Sequence, residues 1–389
     1  MRNFTYYTPT KVFFGKDTHK QIGQIVEDYG FRKIMVQYGK GSVKATGLYD
    51  EVMASLAAHG IEVVECGGVQ PNPTLDFVHE AIRIARETEV EMILAVGGGS
   101  VIDSCKSTAA GVPYDGDVWD FHSYKASPQA ALPVGCILTL SAAGSEMSAS
   151  AVITNEALCQ KRGFGSPFNR CLFAVCNPEL TYTVSPYQTA CGIVDSMAHT
   201  LERYFIPCAP TDLTDRIAES VLHALVGAGK TLMEDPHDYE ARATAMWASS
   251  VSHNGLTGCG RGDALAVHQL EHALSGEFTA VAHGAGLAVL LPAWARYCYR
   301  RDLPRFAQFA RRVWDVTAQD DEQAAREGID AMAAFFKFLG MPTTLREFGV
   351  SAAAIDRLCA LTTRNGERVI ESVVPLDDAA VKAIFESCC

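Results

Sequence analysis

Short apolar runs alternate along the first half of the chain with segments whose apolar positions recur every three or four residues. A run of about four to eight apolar residues is typical of a buried strand, and the longer recurrence predicts a helix. Strands that alternate with helices at this spacing indicate parallel βαβ units in a doubly wound sheet. The predicted strands are Thr10–Gly15, Lys33–Tyr38, Ile61–Cys66, Met92–Val96 and Cys136–Leu140, and the predicted helices are Leu48–His59, Asp76–Thr88 and one that begins near Val101.

The pattern changes near residue 184, because strand signals become sparse from Ser185 onward and helical periodicity dominates. We therefore predict two domains. Residues 1–184 form an α/β domain with a parallel, Rossmann-like sheet, and residues 185–389 form an all-α domain. The predicted helices of the second domain are Thr189–Phe205, Leu213–Ala228, Tyr239–Ser252 and His268–Leu274. They are followed by an apolar run, Gly286–Leu291, which Pro292 ends in the sequence, and by an amphipathic helical tail from Ala307.

Composition narrows the class of protein. The 389 residues carry a formal net charge of −12, which argues against nucleic acid or an anionic membrane as a main partner. No apolar run approaches the length of a membrane span, and no segment has the pattern of a secretory signal. The thirteen cysteines are scattered and none forms a CxxC pair, which indicates reduced thiols in a cytosolic protein. We expect a cytoplasmic protein.

Two glycine turns follow predicted strands and precede predicted helices: Gly39-Lys40-Gly41-Ser42 and Gly97-Gly98-Gly99-Ser100. In open α/β sheets, phosphates bind at such points on free main-chain N–H groups and the positive helix end. The turns therefore predict a dinucleotide site, with Asp103 within reach of a ribose or the nicotinamide. Neither turn has the GxGxxG or GxxxxGK[ST] pattern, and a tight turn without a ligand stays the alternative.

Lys40 and Ser42 bear on the choice of dinucleotide. An acidic side chain in the first βα turn would accept a ribose 2′-hydroxyl, and this turn has none. A lysine and a hydroxyl suit a 2′-phosphate instead. We therefore predict that NADP(H) is preferred over NAD(H), with a solvated surface lysine as the alternative for Lys40.

Histidines are concentrated between Val267 and Gly284, which hold His268, His272 and His283, although the chain has only eleven histidines. In the segment GIVDSMAHTLE, Asp195 and His199 stand four residues apart and share one helix face. One carboxylate with several imidazoles suits Fe²⁺ or Zn²⁺ rather than Mg²⁺ or Ca²⁺. The alternative is a hydrogen-bonded Asp–His pair in the core. His272 is either a ligand in place of His268 or a proton-handling group, whereas for Glu146 and Glu202 a capping or salt-bridge role is favoured.

With these motifs in place, the sequence resembles the iron-containing, or group III, alcohol dehydrogenases, and within them the NADPH-dependent, butanol-dehydrogenase-like aldehyde reductases. The resemblance rests on YGKGSVKATGLYD, PNP, GGGSVIDSCK, AGSEMS, KRGFGSP, NPELTYT, GIVDSMAHTLE and HQLEHALSG, which span nearly the whole chain. It implies a dehydroquinate synthase-like architecture and a homodimer in which the strand near Val12 pairs with its copy. It implies Asp195, His199, His268 and His283 as metal ligands, with His272 nearby, and around the dinucleotide Gly39, Ser42, Gly97, Gly98, Gly99, Ser100, Asp103, Thr139, Ser148, Lys161 and Thr183.

Two departures from the family pattern concern the site. Ala143 stands where the family turn has threonine, so one hydrogen bond to the cofactor is missing or moved. His268 and His283 are fifteen residues apart where fourteen are expected, so the linker Gly276–Ala282 must absorb an extra residue.

The expected reaction is hydride transfer between NADP(H) and a short-chain alcohol or aldehyde, with a divalent metal, Fe²⁺ or Zn²⁺, at the substrate oxygen. His272 or Asp103 is expected to relay the proton. One alternative is an NAD-dependent polyol dehydrogenase of the same superfamily, acting on glycerol or 1,2-propanediol. Others are a metal-dependent hydrolase without a nucleotide and a catalytically silent metal-binding protein.

Overall fold

The computed structural model describes residues 1–208 and 210–389, and the chain divides into two compact units. One unit spans Thr8–Val184. The other comprises Ser185–Cys389 together with Met1–Tyr7. The first residues are tied to the second unit by the main-chain N–H of Arg2, which donates to the carbonyl of Gly260 at 2.8 Å.

The Thr8–Val184 unit is built on a six-stranded sheet whose adjacent strands are all parallel. The strand order is β1-β8-β5-β4-β2-β3, and a separate antiparallel pair consists of β6 and β7. The expected parallel, Rossmann-like sheet is thus confirmed. The strands are β1 (Lys11–Phe14), β2 (Lys33–Gly39), β3 (Glu62–Val69), β4 (Met92–Gly97), β5 (Val134–Leu138), β6 (Ser150–Asn155), β7 (Gln160–Gly165) and β8 (Phe173–Cys176).

Helices connect β1 to β2, β2 to β3, β3 to β4 and β4 to β5, whereas the connection from β5 to β8 contains the β6–β7 hairpin. Every residue of β4 and β5 is buried, which accounts for their continuous apolar sequences. The helices of this unit are α1 (Ile22–Asp28), α2 (Ser42–Ala45), α3 (Leu48–Ala58), α4 (Leu75–Thr88), α5 (Gly99–Gly111) and α6 (Trp119–His122).

Three strands of this unit lie outside the predicted set. Strand β8 has only four residues yet pairs with both β1 and β5, next to the edge of the sheet. Strands β6 and β7 form a hairpin in which Thr154 pairs with Lys161. Their polar residues break the apolar alternation that marks a strand, and β8 is too short to show a period.

The Ser185–Cys389 unit is helical, as expected. No helix among the residues that the structure describes has the length and apolarity needed to cross a membrane. The helices are α7 (Pro186–Tyr204), α8 (Asp212–Glu234), α9 (Tyr239–His253), α10 (Ala266–Glu277), α11 (His283–Cys298), α12 (Leu303–Val313), α13 (Asp321–Phe338), α14 (Ile355–Thr363) and α15 (Asp378–Ser387).

Pro292, which follows the apolar run Gly286–Leu291, lies inside α11. A proline within a helix removes one main-chain hydrogen bond and crowds the preceding turn. Every residue from Gly284 to Ala295 is buried, however, and α11 packs against α7 and α10. Burial of this apolar segment outweighs the lost hydrogen bond, and the helix continues to Cys298.

Candidate metal centre and dinucleotide turns

Helix α7 positions the first two candidate ligands. It begins where Ser185 accepts a hydrogen bond from the main-chain N–H of Gln188 at 3.2 Å, with Pro186 at its first position. The spacing of four residues places Asp195 and His199 on one face of this helix. Both side chains are buried, with 4% and 5% of their surface exposed.

Helices α10 and α11 bring two more histidines to the same carboxylate. Oδ1 of Asp195 lies 3.4 Å from Nε2 of His199, 3.4 Å from Nε2 of His268 and 3.7 Å from Nε2 of His283. These separations are long for hydrogen bonds. Ligand atoms placed tetrahedrally around a metal at bond lengths of 2.0–2.1 Å stand about 3.3–3.4 Å apart, so the spacing is that of a coordination sphere.

The chemistry of this donor set fits a divalent cation. Among the residues that the structure describes, no hydrogen-bond partner reaches the buried Oδ1 of Asp195 or the buried Nε2 of His268. Burying a carboxylate oxygen without a partner is costly unless a cation compensates it. Nitrogen ligands with one carboxylate suit a first-row transition metal or zinc. Asp195, His199, His268 and His283 could therefore hold the metal.

The linker that precedes His283 runs from residue 278 to residue 282. Helix α10 ends at Glu277 and α11 begins at His283 itself. A Cβ atom on Gly284 would lie 2.2 Å from the carbonyl oxygen of Cys191, so a glycine is needed for α11 to start this close to α7. This close approach brings His283 to Asp195.

Two buried glutamates, Glu202 and Glu271, orient the imidazoles. Glu271 was not predicted from the sequence. Oε2 of Glu202 lies 2.8 Å from Nδ1 of His268, and Glu271 bonds Nδ1 of His283. Each Nδ1–H then donates to a carboxylate and leaves Nε2 with its lone pair for a metal. Glu202 also accepts from the main-chain N–H of Val267 at the start of α10, which combines the capping and pairing roles predicted for it. The sequence signal for Glu202 and Glu271 is that each lies three residues after a candidate ligand, His199 or His268, on the same helix.

The pKa values of the two fully buried imidazoles are displaced in opposite directions. Burial lowers the pKa of His268, but the charges of Glu202 and Asp195 outweigh burial and raise it to about 9. Burial, together with the neighbouring His253 and His268, holds the pKa of His199 well below its usual value. A metal binds the neutral form of each imidazole, so the affinity of this centre for a cation should depend on pH.

His272 lies beside the centre rather than in it. Its ring centroid is 5.6 Å from that of His283 and 6.3 Å from that of His268, and its side chain is half-buried. The nitrogen that faces Asp195 belongs to His268, which disfavours the exchange of His272 for His268 as a ligand. Glu271, His272 and His283 nevertheless offer donor atoms within 4.8 Å of one another. A proton-handling role for His272 stays a prediction.

The second glycine turn joins β4 to α5. Gly97 ends β4, and α5 begins at Gly99. A Cβ atom on Gly97 would lie 2.5 Å from the side chain of Val101, and one on Gly98 would lie 3.2 Å from Cβ of Leu140. Packing alone thus requires or favours glycine at these two positions. The first main-chain N–H groups of α5 have no partner inside the helix, which is the feature that a phosphate uses.

Asp103 serves the turn that follows β5. Its Oδ1 accepts from the hydroxyl of Ser145 at 2.5 Å and its Oδ2 from the main-chain N–H of Val152 at 3.1 Å. Burial raises the pKa of Asp103, while Lys106 and the hydrogen bond from Ser145 oppose the shift. Both carboxylate oxygens therefore accept hydrogen bonds from within the protein. Any contact of Asp103 with a ribose or a nicotinamide stays a prediction.

Lys106 is a residue that the sequence analysis did not single out. Its ammonium is 1% exposed and donates to the carbonyls of Ser145, Ser148 and Ser150 at 2.5, 3.2 and 2.9 Å. It also reaches the hydroxyls of Ser145 and Ser148. Its position three residues after Asp103 on one helix face was the only sequence signal. Lys106 fixes the segment that carries Ser148, one of the predicted dinucleotide contacts.

The remaining predicted dinucleotide contacts are spread over this unit. Lys40 and Ser42 are exposed, and Nζ of Lys40 lies 3.3 Å from Oε1 of Gln70. Gly39 ends β2, and Gly41 precedes α2. Thr139 follows β5 and donates its main-chain N–H to Gly97. Lys161 lies half-buried on β7, Thr183 is exposed before α7, and Ser100 lies in the first turn of α5.

A dinucleotide-type sheet and a carboxylate–histidine centre define a metal- and nucleotide-dependent oxidoreductase. Residues 9–178 match the family model of iron-containing alcohol dehydrogenases, and residues 189–388 match the model of the Fe-containing alcohol dehydrogenase family, C-terminal. The chain belongs to the iron-containing alcohol dehydrogenase family. It is therefore an NAD(P)-dependent alcohol dehydrogenase or aldehyde reductase that uses a nucleotide cofactor and a divalent metal.

Individual relatives agree with this assignment. NADH-dependent butanol dehydrogenase A of Clostridium acetobutylicum is 41% identical over 388 residues, which cover 99% of both chains. The NADPH-dependent aldehyde reductase YqhD of Escherichia coli is 37% identical over 94% of both chains. Among solved structures, NADH-dependent butanol dehydrogenase A from Thermotoga maritima is 37% identical, with a TM-score of 0.96 and coverage of 100% of this chain and 99% of that one.

Proposed function

We propose that the chain interconverts short-chain aldehydes and primary alcohols, with Asp195, His199, His268 and His283 as the metal ligands. The observation that carries the proposal is the convergence of three Nε2 atoms within 3.7 Å of Oδ1 of Asp195. In this assignment the Ser185–Cys389 unit holds the metal and the Thr8–Val184 unit holds the dinucleotide.

A bound divalent metal supplies a Lewis acid for the substrate oxygen, and the reduced nicotinamide supplies the hydride. The chain's own residues prepare for this chemistry. Glu202 and Glu271 fix which nitrogen of His268 and His283 carries the proton. His272 is the proposed proton relay to the product oxygen, because its half-buried ring lies 5.6 Å from that of His283, next to the centre.

For the cofactor we propose a preference for NADP(H), supported by the exposed Lys40 and Ser42 at the first βα turn and by the lack of an acidic residue within Gly39–Ser42. The named cofactor differs between relatives: the Clostridium enzyme is described as NADH-dependent and the Escherichia coli enzyme as NADPH-dependent. The test is the ratio of kcat/KM for NADPH and NADH in the protein and in Lys40→Ala. A wild-type ratio below one, unchanged by the substitution, would refute the preference.

We also propose a cytoplasmic homodimer. All thirteen cysteines are free thiols, which suits a reducing compartment. Strand β1 stands at one end of the sheet order, and edge strands offer main-chain groups for pairing with a second copy. Light scattering of the intact protein and of a Val12→Pro variant, which removes an edge N–H, tests the pairing. A dimer that survives this substitution would exclude β1 as its contact.

The decisive experiment for the proposed activity uses metal-stripped protein with an aldehyde panel, NADPH or NADH, and added Fe²⁺ or Zn²⁺. Activity should return with one of the two metals. Asp195→Ala should lose aldehyde reduction and still bind NADPH, measured by the fluorescence of the nucleotide. Full activity in Asp195→Ala would show that the ligand assignment is wrong. Hydrolysis of an ester or amide without nucleotide would instead favour the hydrolase alternative.

A further inference from the structure

His199 is held differently from the other two candidate histidine ligands. His268 and His283 each direct Nδ1 at a buried carboxylate, that of Glu202 or that of Glu271. Nδ1 of His199 is also buried, yet no residue within 1–208 and 210–389 forms a hydrogen bond with it. Metal-bound histidines ordinarily donate this N–H to a carboxylate, a carbonyl or water, which fixes the ring. The ring of His199 instead packs against neighbouring imidazole rings.

Two imidazole rings pack against that of His199. The ring centroid of His253 lies 3.8 Å away with the planes inclined by 37°, and that of His268 lies 4.1 Å away with an inclination of 27°. His268 is itself a proposed ligand, so its proximity follows from the shared centre. His253 ends α9 and is not among the proposed ligands, so its contact needs a separate explanation.

Arg203 fixes the orientation of His253. Its Nη2 donates to Nδ1 of His253 at 2.9 Å. A guanidinium has only donors, so Nδ1 of His253 must carry the lone pair and the ring proton must lie on Nε2. Nη1 of the same guanidinium donates to the carbonyls of His199 and Ser252 at 2.9 and 3.2 Å.

This guanidinium is a rigid link, because Arg203 is 2% exposed and its Nε also donates to Asp263 at 2.7 Å. It lies four residues after His199 on α7, on the same helix face. One buried side chain thus joins the main chain of a candidate ligand to the ring that packs on it. The contact between positions 199 and 253 therefore involves both the flat ring of His253 and its hydrogen bond from Arg203.

We propose that His253, oriented by Arg203, is a positioning residue that holds the ring of His199 in its ligating orientation by ring packing, in place of a carboxylate at Nδ1. The proposal rests on the proposed ligand set. Its consequence is a loss of metal affinity and an altered coordination geometry when the ring at position 253 is removed, even if the chain stays folded and Asp195 is intact.

The test compares His253→Phe with His253→Leu. Both lose the acceptor for Arg203, and both fill the space with apolar atoms, but only phenylalanine keeps a flat ring. Metal-stripped variants are titrated with Co²⁺ against a chelator, and the visible absorption of Co²⁺ reports ligand geometry independently of activity. Circular dichroism melts establish folding. His223→Leu, at an exposed position on α8, is the matched control.

We expect His253→Leu to bind Co²⁺ about tenfold more weakly than the wild type and to show a changed absorption spectrum. A roughly tenfold loss is at the low end of the range for mutating residues that support metal ligands. His253→Phe should stay within about threefold, and the control should match the wild type. Equal affinities and spectra for the Phe and Leu variants would overturn the proposal. His253→Gln, which keeps an acceptor without a ring, replaces the Leu variant if that one does not fold.

Asp195→Ala, titrated in parallel, separates the two levels of inference. If it loses Co²⁺ binding while the Phe and Leu variants are equal, only the role of His253 fails. If it keeps the affinity of the wild type, the proposed ligand set itself is wrong.

Discussion

Replacing Lys106 by methionine should destabilise the Thr8–Val184 unit by about 3–5 kcal/mol, the range for removing one partner of a buried charge network. The ammonium is 1% exposed and donates to three main-chain carbonyls and two serine hydroxyls. A bond to a charged donor contributes about 1.5–3 kcal/mol, and methionine leaves these acceptors buried without it. Methionine keeps most of the side-chain volume, so the loss is not that of a cavity.

The same substitution has a functional consequence, because Lys106 holds the segment between Ser145 and Ser150. If Ser148 contacts the dinucleotide, the KM for the nucleotide should rise by roughly tenfold, while metal content stays that of the wild type. Urea denaturation followed by circular dichroism gives the free energy of unfolding, and nucleotide fluorescence gives the affinity. An unchanged metal content separates this effect from damage to the helical unit.

The matched control is Lys230→Met, a substitution of an exposed lysine on α8, which should change the free energy of unfolding by less than about 0.5 kcal/mol. A double-mutant cycle with Asp103→Asn tests whether the carboxylate and the ammonium act together, with an expected coupling of about 0.5–3 kcal/mol. A loss below about 1 kcal/mol in Lys106→Met, equal to that of the control, would refute the view that this ammonium supports the turn.

Three further predictions concern the glutamate beside the centre, the ion pairs of the helical unit and a buried histidine. Glu202→Gln should weaken Zn²⁺ binding about 10–100-fold in a chelator competition, because Nδ1 of His268 loses its carboxylate; unchanged affinity would contradict this. Asp215→Asn, which breaks the buried pair with Arg261 at 2.7 Å, should cost about 3–5 kcal/mol in urea denaturation, and a loss near zero would show that the network is dispensable. Burial lowers the pKa of His122 to about 4, so the unfolded chain binds the extra proton first and this stability is lost as pH falls from about 6.5 towards 4. The slope of unfolding free energy against pH in that window should be smaller in His122→Gln, and equal slopes would refute the assignment.

The sequence was sufficient for features with strong local signals. The buried run Met92–Val96 with its glycine turn predicted β4 and the start of α5 within about two residues, because a fully apolar strand and three glycines leave few alternatives. The pair Asp195 and His199 was recognisable because a spacing of four residues defines one helix face wherever the helix lies. These features are determined by interactions between residues close together in the sequence, so the sequence alone is enough to predict them.

Features that depend on tertiary contacts were not accessible in this way. Strand β8 is identifiable only through its pairing with β1 and β5, since four residues carry no period. A proline is disfavoured inside a helix by the local rule, yet Pro292 lies within α11, where burial of the helix decides its course. Lys106 looked like an ordinary helix lysine, and only the fold places five acceptors around its ammonium.

The histidine segment shows why spacing alone does not define a coordination sphere. His268, His272 and His283 are equivalent by residue type, yet Nε2 of two of them faces Asp195 while His272 lies to the side. What separates them is the pattern of buried carboxylates, because Glu202 and Glu271 accept from Nδ1 of His268 and of His283. The choice of ligating nitrogen is therefore made by residues outside the donor set. By the same reasoning His199, whose Nδ1 has no such carboxylate among the residues that the structure describes, depends on the ring of His253. The metal affinity of this centre should therefore be set by the residues that contact the ligands as much as by the ligands.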